Sequence, residues 1–107
     1  MARKVEDKNR KLFTEAKRYL VGGVNSPVRS FNSVGSEPLV IQRARAARLY
    51  DYNGRSYVDY VLSWGSAILG HAQPQVIKSI KQSLDSGLSF GTTNAAEVQL
   101  AKEIVKA

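Results

Sequence analysis

The chain has 107 residues, no cysteine and a formal net charge of +7, and 43% of its residues are hydrophobic. This length suits one domain or part of a larger one, and the composition argues against intrinsic disorder. The lack of cysteine excludes a disulfide framework and a thiolate metal site, and a single histidine excludes a multi-histidine site.

The positive charge is concentrated in the first half of the chain. Residues 1–54 contain 11 Lys and Arg against 5 Asp and Glu, whereas residues 55–107 contain 5 against 4. This distribution favours a solvated basic face on the first helix, so we expect no nucleic-acid partner. The alternative, nucleic-acid binding, requires a steep salt dependence. The sequence has no apolar leader and no membrane-length apolar stretch, so we expect a cytoplasmic protein with no membrane partner.

An amphipathic helix is predicted over residues 8–20, because apolar residues recur there every three or four positions. Its apolar stripe consists of Leu12, Phe13, Ala16, Tyr19 and Leu20. Gly22 and Gly23 are expected to end this helix. The loop that follows, GGVNSPVRSF, contains Pro27, which fixes its own backbone and favours an extended Ser26.

Three antiparallel strands are predicted next, over residues 38–42, 47–52 and 56–61, from their β-branched, aromatic and alternating character. Asn53-Gly54 lies between the last two and indicates a type I′ hairpin turn, because both residues accept positive φ. The three strands then form a meander. A loop containing SWGSAILGHAQ follows it.

Two further helices are predicted after that loop. Pro74 suits the first turn of a helix over about residues 74–85, which Gly87 closes. The predicted buried face of this helix consists of Val76, Ile77, Ile80 and Leu84. Asn94 and Glu97 are spaced as a capping box for the last helix. Its apolar face consists of Val98, Ala101, Ile104 and Val105, and it is still periodic at Ala107, which suggests a fragment.

Arg29 and Trp64 are the strongest candidates for ligand contact. A guanidinium presents a planar fork that matches a carboxylate, and a proline-stiffened loop reduces the entropy lost when Arg29 binds one. The alternative is an ordinary surface arginine. Trp64 has the small neighbours Ser63, Gly65 and Ser66, which leave room for a ligand to approach the ring. The alternative is a core tryptophan.

Three other polar residues have structural roles as their first interpretation. His71, between a glycine and a helix start, is expected to form a structural hydrogen bond, with catalysis as the alternative. Asp51 and Asp59 flank the predicted hairpin and suit turn or strand positions, although a general acid/base pair is conceivable.

Several sequence blocks, in order and spacing, resemble the N-terminal quarter of the glutamate-1-semialdehyde 2,1-aminomutase family, within the class III pyridoxal-phosphate (PLP) aminotransferases. The blocks are GGVNSPVRSF, VGSEPLVIQRA, YDYNGRSYVDYVLSWG, ILGHAQPQV and GLSFGTT. NSPVR, and SWG followed by ILGH, favour the aminomutases over other class III aminotransferases. The main alternatives are another class III aminotransferase and a non-catalytic module that binds a partner chain.

The resemblance implies an α/β fold, the N-terminal part of a fold type I PLP-dependent transferase. This part comprises a helix, a three-stranded antiparallel meander and two helices, and it lacks the parallel sheet of the large domain. Residues 1–61 would carry the substrate-anchoring loop, and residues 62–107 would lead into the cofactor-binding domain. The implied reaction converts glutamate-1-semialdehyde to 5-aminolevulinate in a homodimeric enzyme of tetrapyrrole biosynthesis.

By the same resemblance, Arg29 would bind the substrate carboxylate, Ser26 would support that contact by a hydrogen bond, and Trp64 would line the substrate pocket. The GLSFGTT segment would approach the partner subunit's site. Val21 and Ser66 stand where the family commonly has proline. None of the lysines lies in the context of the family's Schiff-base lysine, so we assign no catalytic, cofactor-binding or metal-binding residue and expect the chain alone to be inactive.

Overall fold

The computed structural model describes residues 7–107, which form two compact units, one running through Gln73 and the other spanning Pro74–Ala107. Over residues 7–73, the first unit has the α-helix α1 (Lys8–Ala16) and the strands β1 (Ile41–Arg45), β2 (Arg48–Asp51) and β3 (Ser56–Val58). The second contains α2 (Pro74–Leu84) and α3 (Ala95–Lys106). The functional division between residues 61 and 62 stays a prediction.

Helix α1 begins at an Asp7 cap, whose side chain accepts a hydrogen bond from the Arg10 N–H at 3.1 Å. The helix ends at Ala16, four residues earlier than predicted, because the chain turns and Leu20 is extended (φ −116°, ψ 136°). Phe13 is buried, as its position in the apolar stripe predicts. Tyr19 is 79% exposed, so the prediction that Tyr19 belongs to this stripe was wrong.

The three strands form one antiparallel sheet in the order β1-β2-β3, which confirms the meander. All three are shorter than predicted or displaced. The ladder pairs Ile41 with Asp51 in β1 and β2, and Leu49 with Tyr57 in β2 and β3. Residues 38–40 and 59–61 were predicted as strand and lie outside the sheet.

The type I′ turn at Asn53-Gly54 was wrong. Only Gly54 has a positive φ, +82°, and its N–H donates to the Asp51 carbonyl at 3.1 Å. The loop is therefore a one-glycine turn closed by the Asp51 N–H bonding the Arg55 carbonyl. Asn53 instead holds α1, since its Oδ1 accepts from the Lys8 N–H at 2.9 Å and its Nδ2 donates to Asp7 at 2.9 Å.

The sequence correctly predicted both ends of the connection between α2 and α3. Gly87, at φ +90°, donates its N–H to the Leu84 carbonyl and closes α2. Asn94 caps α3 by accepting from the N–H groups of Ala96 and Glu97, at 3.0 and 3.3 Å. The reciprocal bond of a capping box differs, because the Glu97 carboxylate accepts from the Asn94 side-chain amide and not from its backbone.

The predicted burial of the α2 face was wrong. Its four apolar residues are 38–51% exposed, and on α3 Ile104 and Val105 are 66% and 86% exposed. A helix buries an apolar stripe only where another element packs on it. Among residues 7–107, Phe13 is the one buried apolar side chain. No helix in this part of the chain has the length and apolar character needed to cross a membrane.

Candidate functional site

A cavity of about 580 Å³ lies within the first unit, between two loops and the sheet. It brings together two of the three predicted site residues, Arg29 and Trp64, whereas Ser26 is not among the lining residues. The lining consists of Val28, Arg29, Phe31, Leu39, Ile41, Leu49, Asp59, Val61, Ser63, Trp64 and His71.

Arg29 lies at the end of a short 3₁₀ turn, Pro27–Arg29. Ser26 before it is extended (φ −149°, ψ 135°), as the following proline predicts. The Ser26 carbonyl accepts from the Arg29 N–H at 3.0 Å, and the Pro27 carbonyl accepts from both the N–H and the hydroxyl of Ser30, at 3.1 and 2.7 Å. These local bonds restrict the backbone that carries the guanidinium.

The Arg29 guanidinium has no ion-pair partner among residues 7–107. The one carboxylate in the cavity lining, Asp59, is instead bound to His71. Arg29 is itself exposed, so a ligand can reach the guanidinium, and the remaining lining is mostly apolar. Arg29 is therefore the cation available to a carboxylate that enters the cavity.

Trp64 is held in an uncommon backbone conformation. It lies in the turn Leu62–Gly65, where Leu62, Ser63 and Trp64 all have positive φ, at 49°, 49° and 61°. For L-residues this left-handed conformation costs roughly 1–2 kcal/mol each. Trp64 is 72% exposed, so it is a cavity wall and not a core tryptophan. Such a strained turn persists only where neighbouring contacts hold it.

Asp59 and His71 form a partly buried pair beside this turn. His71 Nε2 lies 2.5 Å from Asp59 Oδ2, which confirms the structural hydrogen bond predicted for His71. Asp59 Oδ1 accepts from the N–H groups of Val61 and Leu62, at 2.9 and 3.1 Å. The bond to His71, and then these backbone donors, lower the pKa of Asp59 below its ordinary value.

The sequence analysis missed that Asp59 belongs to the cavity. The signal was an acidic residue in the apolar alternation SYVDYV, upstream of the single histidine. That pattern places Asp59 on the same face as apolar neighbours, where a carboxylate needs a partner. It does not reveal that the partner is His71, because the two residues meet only through the loop between them.

Asp51 is fully buried and lies outside the cavity lining. Its carboxylate accepts from the Asn9 amide and the Tyr57 hydroxyl, at 2.7 and 2.9 Å, and from the N–H groups of Asn53 and Arg55, at 2.9 and 2.8 Å. Burial alone would raise the pKa of Asp51, but these four donors outweigh it and lower the pKa. Asp51 and Asp59 share no partner, which argues against an acid/base pair.

The family to which the chain belongs follows from comparison with known proteins. The profile of the family described as Aminotransferase class-III matches residues 31–107. The chain belongs to the class III aminotransferase family. The fold predicted for the N-terminal part of such an enzyme is confirmed by the helix, the three-stranded meander and the two following helices.

The class III relatives include aminomutases, as the sequence blocks predicted. The glutamate-1-semialdehyde 2,1-aminomutase of Sulfurihydrogenibium azorense is 53% identical over 94% of this chain and 23% of its own length. That of Persephonella marina is 56% identical over 90% of this chain and 22% of its own length. A solved structure of a glutamate-1-semialdehyde aminomutase from Pseudomonas aeruginosa, in complex with PMP, matches with TM-score 0.80 and 25% identity over 92% of this chain and 21% of that chain.

The chain therefore spans less than a quarter of the length of the curated class III relatives it matches. The family is PLP-dependent, and the cavity lining lacks the group that this cofactor requires. PLP aldehydes bond to a lysine amine, and no lysine lines this cavity. The cavity fits a carboxylate beside an aromatic wall, and it does not fit the cofactor.

Proposed function

We propose that this chain is the N-terminal, substrate-anchoring part of a glutamate-1-semialdehyde 2,1-aminomutase. Such an enzyme converts glutamate-1-semialdehyde to 5-aminolevulinate in tetrapyrrole biosynthesis, as an isomerase that uses PLP. The observation that carries this proposal is the cavity in which the unpaired Arg29 guanidinium and the Trp64 indole lie together. The names and identities of the curated relatives support the reaction.

Arg29 binds the carboxylate of the substrate through two parallel N–H donors. The Trp64 ring flanks the aliphatic part of the substrate. Ser26 supports the anchor, since its carbonyl already accepts from the Arg29 N–H and its side chain lies next to the same turn in sequence. With one end of the substrate fixed, its amine-bearing carbon and its aldehyde carbon are presented to the reacting centre in turn, without loss of the molecule between steps.

The cofactor-binding residues belong to other parts of the whole enzyme in this proposal. Residues 1–61 anchor substrate and form the meander, and residues 62–107 lead towards the cofactor domain. The whole enzyme is a cytoplasmic homodimer, and the GLSFGTT segment approaches the partner subunit's site. These assignments rest on the family resemblance and on the absence of a lysine from the cavity lining.

The anchor role is tested in a full-length aminomutase that carries residues 7–107 of this chain as its N-terminal region. Replacement Arg29→Ala removes charge-assisted hydrogen bonds worth about 2–3 kcal/mol, so we expect KM for glutamate-1-semialdehyde to rise roughly 30- to 150-fold. PLP affinity should stay within about twofold. Steady-state kinetics and cofactor titration measure both.

Arg45→Ala is the matched control, because Arg45 is an exposed arginine outside the cavity. It should leave KM and PLP affinity unchanged. Equal losses of substrate and PLP affinity in Arg29→Ala would contradict the anchor role. If the unmodified full-length enzyme transaminates other amines and fails to turn over glutamate-1-semialdehyde, the chain belongs to a different class III aminotransferase.

A further inference from the structure

The segment from Asp59 to His71 is tied at both ends to the same turn, the one between β1 and β2. The Asp59 N–H donates to the Ala47 carbonyl at 2.9 Å. His71 and Ala46 form an isolated antiparallel bridge, with their two N–H···O bonds at 2.8 and 2.9 Å. The two ends of the segment are therefore neighbours in space.

The side chains of the end residues close the segment a second time. Asp59 Oδ2 bonds His71 Nε2, and Asp59 Oδ1 accepts the two N–H groups that begin the left-handed turn, those of Val61 and Leu62. Both carboxylate oxygens are thus used, one for the far end of the segment and one for the turn. Asp59 is 7% exposed, so water competes weakly for these bonds.

The turn that Asp59 binds is the one that carries Trp64. Its three successive non-glycine residues with positive φ do not hold that conformation by their own preference. A buried carboxylate that receives two N–H groups at the start of the turn supplies the missing constraint. The loss of this constraint would let the turn relax and move the indole.

We propose that Asp59 is a positioning residue, and that the Asp59–His71 clamp holds the left-handed turn so that the Trp64 indole forms the cavity wall near Arg29. The effect on substrate rests on the proposed function above. The effect on the indole position does not, so the two are tested separately.

The first test follows the indole by ¹⁹F NMR of the full-length enzyme labelled with 5-fluorotryptophan. Trp64 is the only tryptophan of this chain, and its resonance is assigned by its loss in Trp64→Phe. We expect Asp59→Ala to shift or split that resonance by more than its line width. Asp51→Ala deletes the other buried carboxylate and should leave the resonance in place. An unchanged Trp64 resonance in a folded Asp59→Ala enzyme overturns the proposal.

The second test replaces His71. It also tests whether the clamp holds the Trp64 turn if Asp59→Ala does not fold. His71→Gln keeps an N–H donor near the position of Nε2, whereas His71→Leu removes it. The Trp64 resonance should stay near its original position in the glutamine variant and move in the leucine variant. If the Trp64 resonance moves equally in both variants, the hydrogen bond has no role in holding the turn.

The third test connects the clamp to substrate by a double-mutant cycle. Asp59→Ala should raise KM about tenfold with kcat within about twofold, since the loss of a buried hydrogen-bond partner has an effect of that order. In a Trp64→Phe background the same replacement should have little further effect, because both act through one wall. If the effects of Asp59→Ala and Trp64→Phe on the free energy derived from KM are additive, the connection between the clamp and substrate binding is overturned. If Arg29→Ala leaves KM unchanged, the proposed function fails while the NMR result still decides the clamp.

Discussion

The Asp51 side chain has no exposed surface, and its carboxylate accepts four hydrogen bonds. The donors come from α1, from the hairpin loop and from β3. The carboxylate thereby joins α1 to the hairpin, which lies more than 40 residues further along the chain. Burial, and then the hydrogen bond to Asp51, raise the pKa of Tyr57 above its ordinary value, so the hydroxyl stays the donor of this bond into alkaline solution. A single residue of this kind sets where α1 docks.

The lowered pKa of Asp51 predicts a loss of stability in acid. The folded state holds the ionised form, so the stabilising contribution is fully present above the ordinary pKa of 3.8 and is lost as the pH falls through the lower folded-state pKa. In the full-length enzyme we expect urea midpoints to fall as the pH drops below about 4, and to fall less steeply in Asp51→Asn. Asp85→Asn, at an exposed aspartate, should keep the original slope. Equal slopes in all three proteins would contradict the assignment.

At the scale of elements, the turn after α1 depends on one close approach, between Gly23 and Phe13. Gly23 has φ +76°, and a Cβ atom there would lie 2.6 Å from Phe13 Cε2. Gly22 has a similar φ, +66°, but a Cβ there would meet nothing within 4 Å. The two adjacent glycines therefore separate the cost of backbone conformation from the cost of crowding.

Gly23→Ala should destabilise the protein more than Gly22→Ala. Both replacements place alanine at positive φ, at a cost of roughly 1–2 kcal/mol. Only Gly23→Ala also overpacks Phe13, which adds about 1–3 kcal/mol. Urea denaturation of the two variants in the full-length enzyme measures the difference. Equal destabilisation would mean that Phe13 moves aside without cost.

The sequence predicted those features of the elements that depend on neighbouring residues. The Asn94 cap, the extended Ser26 before Pro27 and the glycine end of α2 all follow from local chemistry, and the structure has each of them. The type I′ turn failed because the Asp51 N–H contacts the Arg55 carbonyl and closes a three-residue loop, in which only the glycine takes a positive φ. Propensity does not contain that contact.

For the candidate site, too, the sequence predicted the features that depend on neighbouring residues. The Gly/Asn/Ser/Pro loop and the small neighbours of tryptophan indicated Arg29 and Trp64, and the two residues line one cavity. Their proximity, and the clamp between Asp59 and His71, depend on long-range pairing of Ala46 with His71. A single sequence shows residue types and spacing, and it does not show which distant backbone groups pair.

At the scale of the whole molecule, the apolar faces of α2 and α3 remain exposed in a chain that spans less than a quarter of its curated relatives. The periodicity correctly identified which residues share a face, but the burial prediction assumed a packing partner. In the proposed whole enzyme, further residues cover these faces. The same proposal divides two tasks: this chain would supply the cation that binds the substrate, and the amine that bonds the cofactor would come from elsewhere in the enzyme, since no lysine lines the cavity.

This division of tasks predicts how the isolated chain reacts with PLP. The isolated 107-residue polypeptide mixed with PLP should show no protein-specific internal aldimine absorbance, since no lysine lines the cavity and isolated surface amines bond the aldehyde only weakly and without selection. Borohydride reduction followed by peptide mass mapping should find scattered, substoichiometric labelling over the lysines. The full-length enzyme, treated in parallel, should give one labelled lysine per chain, outside residues 7–107. A stoichiometric adduct at a single lysine of the isolated polypeptide would contradict the division, because that lysine would then have a cofactor site of its own.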